Sequence, residues 1–214
     1  MKILEIIAHR GHWKEEIEKN TLQSFEKALE CSYGIETDIR DYCGKLVISH
    51  DIPDDNSILL EDFLEIYNQY NRKGTLALNI KADGLQQHLL NLFEVYNVHD
   101  YFVFDMSIPE HLKYNKNGFK MFTRQSEYEE YPVLYKESQG VWLDCFEGEW
   151  YDINVIKNHV NNKKKVCIVS PELHGRDYCQ LWEQIKNKLS ENEKKNISLC
   201  TDLPNEAEEF FSNF

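Results

Sequence analysis

Four short groups of polar residues stand where apolar runs end: His9-Arg10-Gly11, Glu36-Thr37-Asp38, His50-Asp51 and Asn79-Ile80-Lys81. Each residue type suits a different task. Histidine titrates near neutrality, so His9 and His50, in separate loops, can divide the work of removing one proton and delivering another. Side chains alternate faces along a strand, so Glu36, Asp38 and Arg40 project together, as do Asn79 and Lys81. Glu36, Asp38 and the amide oxygen of Asn79 then offer three hard oxygens to magnesium or calcium. Arg10 presents a planar fork to a tetrahedral anion and Lys81 a point charge. A cation among these groups would polarise a phosphoryl oxygen and lower the pKa of an attacking hydroxyl. Taken together, this is the chemistry of cleaving a phosphodiester.

Positioning these groups requires a regular scaffold, and the chain alternates two periodicities. Apolar, mostly β-branched runs cover Leu4 to Ala8, Gly34 to Ile39, Leu76 to Ile80, Tyr101 to Phe104, Lys120 to Thr123, Val141 to Cys145, Val166 to Val169 and Ile197 to Cys200. A ninth, Leu46 to Ser49, reads as a hairpin return after Cys43-Gly44. Between them, Leu22-Phe25-Ala28-Leu29, Phe63-Ile66-Tyr67, Leu85-His88-Leu89-Leu92-Phe93, Leu181-Ile185-Leu189 and Ala207-Phe210-Phe211 repeat at helical spacing. Asn20-Thr21, Ser107 ahead of Pro109, and Pro204-Asn205 mark helix starts. Strands alternating with helices imply parallel βαβ units. Eight strands and about eight helices, of which these are examples, predict in this length an α/β fold, a single-domain (β/α)8 TIM barrel over residues 1–214, whose functional rim lies at the strand C-termini. His9-Arg10, Glu36/Asp38, Asn79/Lys81, Asp105, Arg124, Asp144, Glu172 and Asp202 all fall there.

Composition narrows the partners. A net charge of -13 over 214 residues argues against nucleic acid or an anionic membrane surface. Lys163-Lys164-Lys165 reads as a solvated turn. Six cysteines without a CxxC pair read as reduced and mostly buried thiols. The run Met1 to His9 is too short and too broken by Glu5 for a signal peptide, and no apolar run reaches membrane-spanning length; both point to a cytoplasmic protein without stable membrane association.

With those residues in view, the chain resembles the glycerophosphodiester phosphodiesterase family, part of the superfamily that holds phosphatidylinositol-specific phospholipases C. The ordered matches are HRG at His9-Arg10-Gly11, an ENT-like helix start at Lys19-Asn20-Thr21-Leu22-Gln23-Ser24-Phe25, ExD at Glu36-Thr37-Asp38, HD at His50-Asp51 and TDxP at Thr201-Asp202-Leu203-Pro204. The resemblance implies a TIM-type barrel, His9 and His50 as acid and base, Arg10 and Lys81 at the phosphate, and Glu36 and Asp38 on a divalent cation. It implies a small-molecule glycerophosphodiester, or a related polyol or sugar phosphodiester, as substrate.

Two departures stand out. Asn79 occupies the place where the family has a third acidic ligand, which leaves Asp144 or Glu172 as substitutes and a non-catalytic phosphoester-binding protein as the alternative reading. Only Ile52 to Gly74 follows His50-Asp51 before the next strand, room for one helix rather than the family's inserted subdomain. Late strand-end residues Trp142, Glu172, His174 and Arg176 are expected to shape a head-group pocket. His12, His88, His99, His111 and His159 are expected in packing or solvent, and Cys31 and Cys43 are expected to be buried.

Overall fold

The computed structural model describes residues 4–212; Met1, Lys2 and Ile3 of the N-terminal run lie outside them. The chain divides into two compact units, Ala8–Met121 and the residues on either side of it, 4–7 with 122–212.

The end of strand β1 (Glu5–His9) opens the Ala8–Met121 unit, followed by α1 (Leu22–Glu30), β2 (Gly34–Tyr42), β3 (Lys45–Ile48), β4 (Ile58–Leu59), α2 (Leu60–Gln69), β5 (Leu76–Ile80), α3 (Gln86–Val95), β6 (Tyr101–Phe104) and α4 (Ile108–Lys116). Strand β2 is its centre. Its first half lies parallel to β5, with Glu36 opposite Ala77 and Asp38 opposite Asn79, and β5 continues parallel to β6. Beyond Ile39 it turns back on β3 as an antiparallel hairpin, the return expected from Cys43-Gly44. Strand β4, only two residues long and absent from the sequence reading, pairs with β3. From β3 to β5 the chain holds β4 and α2 alone, so one helix fills the space and no subdomain is inserted.

Helix α1 begins at Thr21, whose hydroxyl accepts from Ser24 N at 3.2 Å while Ser24 Oγ accepts from Thr21 N at 3.3 Å. This reciprocal cap contributes about 1 kcal/mol. The helix buries Phe25, Ala28 and Leu29, and the Phe25 ring meets Phe63 of α2 with centroids 4.5 Å apart. Apolar contact thus holds α1, and α1 in turn holds the loop that carries Arg10.

The second unit contains β7 (Phe122–Gln125), β8 (Gly140–Leu143), α5 (Ile153–Asn161), β9 (Lys165–Val169), α6 (Cys179–Lys188), α7 (Glu191–Lys194), β10 (Ile197–Thr201) and α8 (Pro204–Ser212). Strands β7, β8, β9 and β10 pair in that order, all parallel. Buried runs such as Val166–Val169 account for this, because a parallel strand covered on both faces is apolar throughout. Gly140 is needed where β8 passes β7: a Cβ there would lie 2.4 Å from the Phe122 ring. Lys163, at φ +61, makes the expected turn, and Lys164 donates to Ser138 O at 2.6 Å.

No disulfide joins the described cysteines; Cys145, Cys167 and Cys200 are buried. Cys31 and Cys43, expected to be buried, are exposed, as is Cys179. Cys31 caps the solvent end of α1, and Cys43 sits at φ +49 in the β2–β3 turn, so both lie past the buried parts of their elements.

Candidate active site

The Ala8–Met121 unit gathers most of the residues singled out above around one carboxylate. Asp38 is fully buried, yet Arg10 Nε lies 3.2 Å from its Oδ2 and Lys81 Nζ 3.5 Å from its Oδ1. A third partner, Asn20 Nδ2, donates to Asp38 Oδ2 at 3.0 Å while Asn20 Oδ1 accepts from the buried Thr37 hydroxyl at 2.8 Å. Two cations and an amide thus converge on a carboxylate screened from water, where charge interactions are stronger than at the surface.

The loop after β1 delivers Arg10. Arg10 N donates to Glu36 O at 2.9 Å, its carbonyl accepts from Asn20 N at 2.9 Å and Ser24 Oγ at 3.3 Å, and Trp13 Nε1 donates to His9 O at 2.9 Å. Arg10 and Asn20 both adopt left-handed backbone, φ +55 and +56. Gly11 follows at φ +90, where a Cβ would stand 2.4 Å from Ser24 Oγ. The glycine is therefore what lets the Arg10 turn close onto α1.

Glu36 is buried beside Asp38, and His9 Nε2 lies 3.7 Å from its Oε2, an ion-pair distance rather than a hydrogen bond. Burial, and then the charge of Asp38, push the Glu36 carboxyl well above the usual carboxylate range, against the opposing pull of Arg10 and Lys81. Three buried oxygens here have no hydrogen-bond donor: Glu36 Oε2, Asp38 Oδ1 and Asn79 Oδ1. Among the described residues no three His, Cys, Asp or Glu side chains are grouped as a metal-ligand set; a set built on Glu36 and Asp38 would need the Asn79 amide as its third oxygen. Hard oxygens of this kind would suit magnesium or calcium.

His50 stands apart from His9, in the loop after β3. Its side chain is 45% exposed and its Nδ1 lies 2.9 Å from Asp51 Oδ1. It opens, with Arg10, Lys19, Asn20 and Asp54, onto a cleft of about 600 Å³. Arg10 and Asn20 face both the buried Asp38 and this cleft, which links the two histidine-bearing loops.

The later residues assemble within the other unit. Asp144 Oδ1 accepts from His174 Nε2 at 2.8 Å and Cys145 N at 2.7 Å, and its Oδ2 from Trp142 Nε1 at 3.4 Å. Arg176 Nη2 donates to Cys145 O. Glu172 Oε1 accepts from the Thr201 hydroxyl and from Asp202 N, its Oε2 has no donor, and burial raises its pKa. Trp142, His174 and Arg176 thus surround Asp144-Cys145, with Glu172 tied to the end of β10.

The sequence reading missed Asn20 as a site residue, noting it as a possible helix cap and as part of the ENT-like match. A usable signal was its place between the Arg10 turn and α1.

No protein-family model and no curated protein matches the sequence. Solved structures do. A glycerophosphodiester phosphodiesterase from Agrobacterium tumefaciens aligns with 99% of this chain and 100% of its own at a TM-score of 0.66 and 14% identity. A phosphodiesterase from Oleispira antarctica, solved with its product sn-glycerol-3-phosphate, aligns over 98% and 97% at 0.69 and 15% identity. A glycerophosphoryl diester phosphodiesterase from Parabacteroides distasonis aligns over 99% and 87% at 0.65 and 16% identity. At such identities the likeness shows the fold, the one the sequence motifs implied.

Proposed function

We propose that this chain is a phosphoric diester hydrolase acting on a glycerophosphodiester or a related polyol or sugar phosphodiester. The observation that carries the reading is the convergence of Arg10 and Lys81 on the buried Asp38, beside a His9–Glu36 pair and next to the cleft that His50 enters. The three solved structures of the same fold support it, one of them holding sn-glycerol-3-phosphate as product.

In this reading Arg10 and Lys81 hold the phosphate, meeting the charge that builds on its oxygens with donors already fixed in place. His9 and His50 exchange the two protons of the reaction, one taken from the attacking hydroxyl and one given to the leaving alkoxide. Glu36, Asp38 and Asn79 would hold magnesium or calcium. Bound there, the cation would polarise a phosphoryl oxygen and lower the pKa of the nucleophile. Trp142, Glu172, His174 and Arg176 are proposed to set the preference for the alcohol.

Among the described residues no helix is long and apolar enough to cross a membrane. The net charge of -13 supports a small diester rather than an anionic bilayer or nucleic acid as substrate.

One observation favours a second reading, a phosphoester-binding protein without turnover: Asn79 gives the ligand set one negative charge fewer than a third carboxylate would. A panel of diesters followed by phosphorus NMR, with magnesium, calcium or chelator, separates the two. Metal-dependent release of a monoester, or of a cyclic phosphate if a neighbouring substrate hydroxyl attacks, supports the hydrolase. Binding without release by the native chain, together with turnover by Asn79→Glu, would favour the second reading.

A further inference from the structure

Arg40 lies two residues beyond Asp38 on the same face of β2, but its guanidinium engages main chain. Nε and Nη2 donate to His50 O at 3.3 and 3.0 Å, and Nη1 donates to Lys81 O at 3.1 Å. The two carbonyls belong to the proposed acid–base histidine and the proposed phosphate lysine. One planar fork therefore joins the loop after β3 to the end of β5.

Little else holds His50. Its imidazole is 45% exposed, and its side-chain partner Asp51 is 92% exposed. Ser49 N donates to Asp38 O at 3.0 Å, which fixes the chain just before the loop leaves the strand pair. Ser49 Oγ also donates to Asp51 O at 3.0 Å, a bond internal to the loop, and the Arg40 fork anchors His50 to the rest of the fold through its carbonyl. Lys81 has a main-chain tie of its own, Lys81 N to Ile39 O at 3.0 Å, so the fork closes a bridge from a fixed strand end to an exposed loop.

We infer that Arg40 is a positioning residue that sets the reach of His50 relative to Lys81, and hence to a bound phosphate; the inference rests on the proposed hydrolase reading. It differs in kind from Arg10. Three of its five N–H donors are taken by these two carbonyls, one from each nitrogen, so its role here is alignment of the main chain. Misplacing a catalytic group by about 1 Å costs on the order of 100-fold in rate. Lysine keeps the charge at this position but cannot reach both carbonyls with a planar fork.

The test compares native chain, Arg40→Lys and Arg40→Ala on a diester that the native chain cleaves, with hydrogen exchange of residues 49–53 measured in parallel. The expected result is a kcat lower by about 10-fold or more in both variants, KM within about two-fold, faster exchange in the loop, and partial recovery of Arg40→Ala by low-millimolar guanidinium. A raised KM with unchanged kcat would make Arg40 a substrate ligand and overturn the inference. So would native kcat in Arg40→Lys, or loop exchange unchanged in both variants. If the native chain cleaves no diester, the hydrolase reading fails, and the exchange data still decide whether Arg40 holds the loop.

Discussion

Replacing Asn20 tests the structure of the site separately from its chemistry. Asn20 sits at φ +56, bonds the Thr37 hydroxyl at 2.8 Å and Asp38 Oδ2 at 3.0 Å, and joins β2 to the Arg10 loop. Asn20→Ala deletes both side-chain bonds and leaves a buried hydroxyl and a buried carboxylate oxygen each short of a partner, a loss of about 2 kcal/mol. Alanine in left-handed backbone adds about 1 kcal/mol of strain, which asparagine tolerates better and glycine avoids. The expected totals are about 3 kcal/mol for Asn20→Ala and about 2 kcal/mol for Asn20→Gly. Urea unfolding followed by far-ultraviolet circular dichroism reads this as a midpoint lower by about 1 M for the alanine variant at unchanged slope. Alanine and glycine variants both within about 0.5 kcal/mol of the native chain would refute the bridging role.

Three further expectations follow from the same geometry. Gly11→Ala places a Cβ 2.7 Å from the Ser24 Cβ and 2.8 Å from its main-chain carbon at φ +90, so thermal melts should show a loss of about 3 kcal/mol or more, with the Arg10 turn displaced. The raised Glu36 pKa means that the metal-free protein keeps a proton where a free carboxylate, near 4.5, has lost it. Stability should fall as pH rises from that value through the elevated one, while magnesium or calcium binding strengthens and releases a proton. Calorimetric titration in buffers of different ionisation heat, with Glu36→Gln as control, checks this; pH-independent affinity would contradict it. Burial, and then Lys164, lower the pKa of His159, whose rings nitrogens face Tyr135 Oη at 2.9 Å and Gln125 Oε1 at 2.7 Å. Its contribution is therefore present above the usual 6.5 and lost as pH falls through the lower folded value; His159→Gln should flatten that slope in chemical denaturation.

Much of this was legible in the sequence, for identifiable reasons. The long strands carry buried β-branched runs, and α1 announces itself through Thr21 and the Phe25-Ala28-Leu29 spacing. Strand β4 escaped because two residues, Ile58 and Leu59, carry no periodicity. Of the candidate site, the grouping was legible where it depends on residue type and alternation: Glu36 and Asp38 share a face of β2, and Lys81, just past the end of the neighbouring β5, reaches Asp38. Asn20 and Arg40 were not, because their roles lie in what they touch. Asn20 meets Thr37 and Asp38 from a different element, and Arg40 meets two main-chain carbonyls that no residue type can advertise. Cys31 and Cys43 were misplaced because each falls just past an element whose interior is buried.

The most direct test of the central reading is turnover of sn-glycero-3-phosphocholine by the purified chain with magnesium, calcium or chelator, beside His9→Ala and Asp38→Asn. Release of sn-glycerol-3-phosphate is expected, lost with chelator and reduced by about 100-fold or more in both variants, since one removes the proposed proton carrier and the other the carboxylate on which Arg10 and Lys81 converge. Native rates in His9→Ala and Asp38→Asn would contradict the assignment of this cluster as the reacting site.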